Sequence, residues 1–119
     1  MKIIQLLARI EGSGVTRYII ELNKGLKQNG HDVDVVYLKS DDKDNPKNGM
    51  QNIDNLICKG YEQEDIDYYN SADLVIVNSL MARTVDKNIR EKWLDLVMNK
   101  VTTRKTIIVI DHKVMGFIS

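Results

Sequence analysis

The chain has 119 residues, 43% of them hydrophobic and 29% charged; these are the proportions of one globular domain, and they exclude a disordered or low-complexity segment. Its seventeen Lys and Arg cancel its seventeen Asp and Glu, so the total charge carries no nucleic-acid footprint. The single cysteine, Cys58, excludes an internal disulfide and fits a reducing cytoplasm, where it reads as a small buried apolar residue.

Ile3, Ile4, Leu6 and Leu7 open the chain as an apolar run too short for a helix of its own and too apolar for an exposed strand. That is the pattern of a strand buried on both faces of a parallel sheet. Arg9 and Glu11 interrupt it too early for a signal peptide or a membrane span, so a soluble cytoplasmic protein is expected. After the loop Gly12-Ser13-Gly14, the residues Val15, Ile19, Leu22 and Leu26 recur at steps of four, three and four, which places them on one helix face. Asn29-Gly30 ends that helix, with Lys24 and Lys27 in the last turns where cations suit the dipole. The strand Val33 to Leu38 completes a βαβ unit, whose crossover is right-handed.

Lys39 to Gln51, with the only proline (Pro46) and an Asn48-Gly49 turn, reads as a surface loop. Ile53, Leu56 and Ile57 suggest a short third strand, and Glu62 to Asn70 a helix with an acidic start that turns Ile66 and Tyr69 inward. Asp73 to Asn78 is an interior strand ending in Asn78-Ser79. Val85, Ile89, Trp93, Leu96 and Val97 share helical spacing, with Arg83, Lys87, Arg90 and Lys92 on other faces, and Trp93 reads as core. Thr106 to Ile110 is a last strand, followed by Asp111-His112. The charge is uneven: residues 41–73 hold nine acidic against three basic side chains, and 74–119 hold eight basic against four acidic. Contact with a polyanion would therefore come from the C-terminal part.

Strands of buried type alternating with amphipathic helices need both sheet faces covered. The expected fold is α/β, a three-layer Rossmann-like open parallel sheet in the order 3-2-1-4-5, with residues 1–119 as a single domain. In that order the ends of strands 1, 4 and 5 adjoin, so Gly12, Ser13, Gly14, Asn78, Ser79, Asp111 and His112 line one crevice. The glycines either make a tight turn or let an anion approach the free amides of the helix start; this position in α/β folds favours a phosphate, sugar or carboxylate. Gly12-x-Gly14 is only part of the dinucleotide fingerprint, because Arg17 stands where close helix–strand packing wants a small residue, and a nicotinamide cofactor is not expected. Asp111 is the natural proton acceptor or hydroxyl-orienting group, with His112 a second acid/base candidate; the alternative for Asp111 is a helix N-cap or a solvated turn. Two separated histidines, His31 and His112, and one cysteine do not make a zinc site, and no G-x-S-x-G elbow supports a nucleophile.

These residues resemble the N-terminal domain of GT-B glycosyltransferases, in which a glycine loop after strand 1, a helix ending in Gly-His-x-Val and a crevice between two Rossmann-like domains recur. Here the helix ends in Gly30-His31-Asp32-Val33. Within that family the DNA α-glucosyltransferases of T-even phages are the nearer likeness. They share the opening seen here as Ala8-Arg9-Ile10-Glu11-Gly12-Ser13-Gly14-Val15-Thr16-Arg17, the strand end Ile76-Val77-Asn78-Ser79, and a His-Asp-His triplet that is Ile110-Asp111-His112 in this chain. The resemblance implies glucose transfer from UDP-glucose to 5-hydroxymethylcytosine in DNA, with Asp111 catalytic and Gly12, Ser13, Gly14, Val15, Arg17, Asn78, Ser79 and His112 binding substrate. It implies no metal and no other cofactor. Ile110 in place of the first histidine departs from the pattern. GT-B enzymes hold the nucleotide sugar mostly on a C-terminal domain, so these 119 residues are expected to be the acceptor-side domain alone, inactive without a C-terminal domain or partner chain. The other reading is a non-catalytic phage accessory protein whose crevice binds a nucleotide or a partner protein. Apolar surface beside the last strand is expected to be covered by such a partner or by a second copy.

Overall fold

The computed structural model describes residues 1–7, 14–38, 56–78, 87–103 and 105–108, with the backbone alone at 14–16, 89 and 105–108. The elements run β1 (Lys2–Leu7), α1 (Gly14–Gln28), β2 (Asp32–Leu38), β3 (Leu56–Lys59), α2 (Gln63–Asn70), β4 (Leu74–Asn78), α3 (Lys87–Asp95, continued by a π-helical turn Leu96–Lys100) and β5 (Lys105–Ile108). The strands form one five-stranded sheet, β3-β2-β1-β4-β5, parallel throughout, as the sequence predicts.

Alternation along each central strand divides its side chains between two layers. Ile4 and Leu6 of β1, Val36 and Leu38 of β2, and Val75 and Val77 of β4 pack with Ile66 and Tyr69 of α2 and with Trp93, Leu96 and Val97 of the α3 segment. On the opposite face, Leu7, Val35 and Tyr37 meet Ile19 and Ile20, while Ile3, Val33 and Ile76 meet Leu22 and Leu26. Thus α1 covers one face and α2 with α3 covers the other. Central strands buried on both sides explain why their sequences read as unbroken apolar runs.

The helix ends follow from local chemistry. At the end of α1 the Gly30 N–H bonds to the Lys27 carbonyl at 3.0 Å and the His31 N–H to the Leu26 carbonyl at 3.1 Å, the pair of bonds that defines a Schellman motif. Gly30 supplies the left-handed residue it needs, at φ 85°. In the π-helical turn the Val101 N–H reaches the Leu96 carbonyl at 2.9 Å, a five-residue step. Next to it Asn70, at the end of α2, donates to the Lys100 carbonyl at 3.0 Å and accepts from the Thr102 and Thr103 amides at 2.8 and 3.2 Å. One side chain thereby ties the turn before β4 to the turn before β5.

Some sequence expectations shift. The third strand is Leu56–Lys59, and Ile53 lies outside the described residues. The last strand begins one residue earlier than expected, at Lys105, and residues 109–110 lie outside the described residues, as do the predicted loop 39–51 and Val85. Cys58 is half-buried rather than buried, because among the described residues β3 is the edge strand of the sheet.

Candidate functional site

Because every strand is parallel, the C-terminal ends of all five share one edge. The strand order reverses at β1, with β2 and β3 to one side and β4 and β5 to the other. The helices α1 and α3 that come after β1 and β4 cover opposite faces, so the ends of those two strands mark the position at which open parallel sheets form a ligand crevice. Register fixes its floor: Val77 lies beside Leu6, and Ile108 beside Asn78. Strands sit ~4.8 Å apart, so the ends of β1 and β5 are roughly 10 Å from each other.

Gly14 and Val15 start α1, whose first turn holds no acidic side chain, and Arg17 stands exposed in that turn. The first amides of a helix have no partners within it and form its positive end. Asn78 ends β4, only 4% exposed. Its Nδ2 donates to Gln5 Oε1 over 3.5 Å, a long bond within the buried layer. The structure therefore brings the start of α1 and Asn78 to the ends of adjacent strands. Gly12, Ser13, Ser79, Asp111 and His112 lie outside the described residues. Gln5 is the residue that sequence reasoning missed. Its partner is 73 positions away, and the available signal was a single amide inside a doubly buried strand, which must find a buried polar neighbour.

The main charge network lies at the other edge of the sheet. Lys2 Nζ contacts Asp34 Oδ2 at 2.7 Å and Asp32 Oδ2 at 3.2 Å, and the Tyr68 hydroxyl donates to Asp34. Burial pulls the Lys2 ammonium down, but its bonds to Asp34 and Asp32 outweigh this and hold its pKa above the usual lysine value. Burial first, then the bond to Asp34, raises the Tyr68 phenol. These groups join β1, β2 and α2 far from the crevice, and their role is structural. Among the described residues no group of three or more His, Cys, Asp or Glu is placed to hold a metal ion, and no helix is long and apolar enough to cross a membrane.

A parallel sheet reversing at β1, a helix opening on glycine beside it and a polar end on β4 make this a Rossmann-like domain, and the chain resembles the N-terminal domain of a GT-B glycosyltransferase. No family model matches it. Among curated proteins it is 30% identical over 123 residues to the DNA α-glucosyltransferase of Enterobacteria phage T4, covering 98% of this chain and 30% of that enzyme. Among solved structures it is similar to an α-glucosyltransferase in complex with UDP and a 13-mer DNA containing an HMU base, with TM-score 0.72 and 26% identity over 98% of this chain and 32% of the other. A second, in complex with UDP-glucose and DNA containing an abasic site, gives TM-score 0.71 and 26% identity over 98% of this chain and 31% of the other. The chain thus spans about 30% of the length of the curated relative it matches.

Proposed function

We propose that residues 1–119 form the acceptor-side, N-terminal domain of a glycosyltransferase that moves glucose from UDP-glucose to 5-hydroxymethylcytosine in DNA, working in the cytoplasm of a phage-infected host. The observation that carries this reading is the likeness along 98% of the chain to an enzyme whose solved structures hold UDP-glucose or UDP together with DNA. In this reading the amides of the Gly12-Ser13-Gly14 loop and Val15 face the donor's negative charge, with Arg17 beside them. Asn78, Ser79 and His112 contact the acceptor sugar or base. Asp111 orients or deprotonates the acceptor hydroxyl, work suited to a carboxylate. A base in duplex DNA must leave the stack to reach such a cleft. The donor is held by a C-terminal domain or a partner chain.

The second reading is an accessory protein that keeps the crevice without catalysis. Native mass spectrometry of the chain purified from infected cells separates the two. A co-purifying chain with a nucleotide-sugar domain supports the transferase. A nucleotide held tightly by this chain alone supports the accessory protein.

A further inference from the structure

Four polar or charged side chains are buried among the described residues: Gln5, Asn23, Asp34 and Asn78. Asp34 is satisfied by Lys2 and Tyr68 on the α2 face. The other three are amides, and each keeps one atom without a hydrogen-bond partner: Gln5 Nε2, Asn23 Oδ1 and Asn78 Oδ1. All three belong to the layer between α1 and the sheet. Gln5 alternates with Ile4 and Leu6 of the opposite face, and Asn78 with Val77. Asn23 follows Ile19 by one helical turn. Ile19 packs in the cluster of Leu7, and Leu26 in that of Ile3, and Asn23 stands between the two along α1.

Two unmatched acceptors and one unmatched donor are the complement of a single water molecule, which donates twice and accepts from the third group. The match survives the joint turn of the Gln5–Asn78 pair. Turning both Gln5 and Asn78 over makes Gln5 the acceptor and Asn78 the donor, and again leaves two acceptors and one donor. The three residues are enclosed, with Gln5 at 0%, Asn78 at 4% and Asn23 at 6% exposure.

We propose that Gln5, Asn23 and Asn78 form a binding site for one long-lived internal water. It ties α1 to β1 and β4, the two strands beside the crevice, and so fixes where the start of α1 stands relative to Asn78. This holds whether or not the chain takes part in glycosyl transfer.

The test is water-to-protein NMR on the full 119-residue chain, labelled with ¹⁵N. The side-chain amide hydrogens of Gln5 and Asn78 should give nuclear Overhauser and rotating-frame cross-peaks to water of opposite sign, the signature of a water held far longer than surface hydration water. Asn23→Leu should abolish those peaks while the backbone amide spectrum away from α1 stays unchanged. Should Asn23→Leu not fold, the wild-type peaks decide alone, together with a crystal structure at water-resolving resolution. Cross-peaks only among the three amides, with none to water, overturn the proposal, as does a water signal of full strength in folded Asn23→Leu.

Discussion

Trp93 is fully buried against the face of the sheet that α2 and α3 cover. Trp93→Ala should cost about 3–5 kcal/mol, a large share of the roughly 5–15 kcal/mol that holds a domain of this kind together. Urea unfolding should show it as a lower midpoint with a similar slope. Asp111→Asn should do the reverse: in an assembled two-domain enzyme, glucose transfer is lost while the urea midpoint stays, because the amide keeps the size of the carboxylate it replaces. A fully active Asp111→Asn enzyme would remove the acid/base role. The tyrosines set an alkaline limit. Burial pushes the Tyr61 phenol up to about 12 and raises Tyr69 and Tyr68 as well, while Lys2 is raised by its two aspartates. Each folded pKa exceeds its unfolded value of about 10. The stability these groups contribute is therefore complete below about pH 10 and is lost as pH rises through the folded values. The urea midpoint, followed upward from neutral pH, should hold and then fall beyond that point, with Tyr61→Phe flattening the fall.

At the level of elements, α1 offers a matched pair of substitutions. Gly25 lies inside the helix, and a Cβ added there meets nothing within 4 Å. Gly25→Ala should therefore stabilise the chain by up to about 1 kcal/mol through helix propensity and lost unfolded-state freedom. A Cβ on Gly30 also has open space, but at φ +85°. Gly30→Ala should cost roughly 1–2 kcal/mol in backbone strain alone, and Gly30→Asn less. Thermal melts of the three variants, with opposite signs for the two alanines, check this reading of the helix end. The elements were legible where one physical signal sufficed. Buried runs marked β1 and β4, and the four-three-four spacing with Asn29-Gly30 marked α1. The π-helical turn after α3 was not legible, because Leu96 and Val97 continue the α-helical spacing and the widening shows only in the Val101-to-Leu96 bond. The Lys2–Asp34–Tyr68 network was hidden for a related reason. A charge inside β2 gains meaning only from partners 32 and 34 positions away. In the candidate site, Asn78 could be read from its place at a strand end, whereas its contact with Gln5 needed the β1–β4 pairing.

For the whole molecule, the sheet order sets the functional account. It places the ends of β1, β4 and β5 side by side, in the proposed function one wall of a cleft. Holding a nucleotide sugar and a DNA hydroxyl in a single geometry can lower a barrier by ~7–11 kcal/mol, and one wall cannot hold both reactants. In the proposed function the donor is held by a further domain or a partner chain. The most direct measurement is glucose transfer from UDP-glucose to hydroxymethylated DNA by the purified 119-residue chain, alone and then mixed with a C-terminal GT-B domain. The account predicts no turnover above background alone and transfer on mixing. Turnover by the chain alone, its sequence verified, would contradict it.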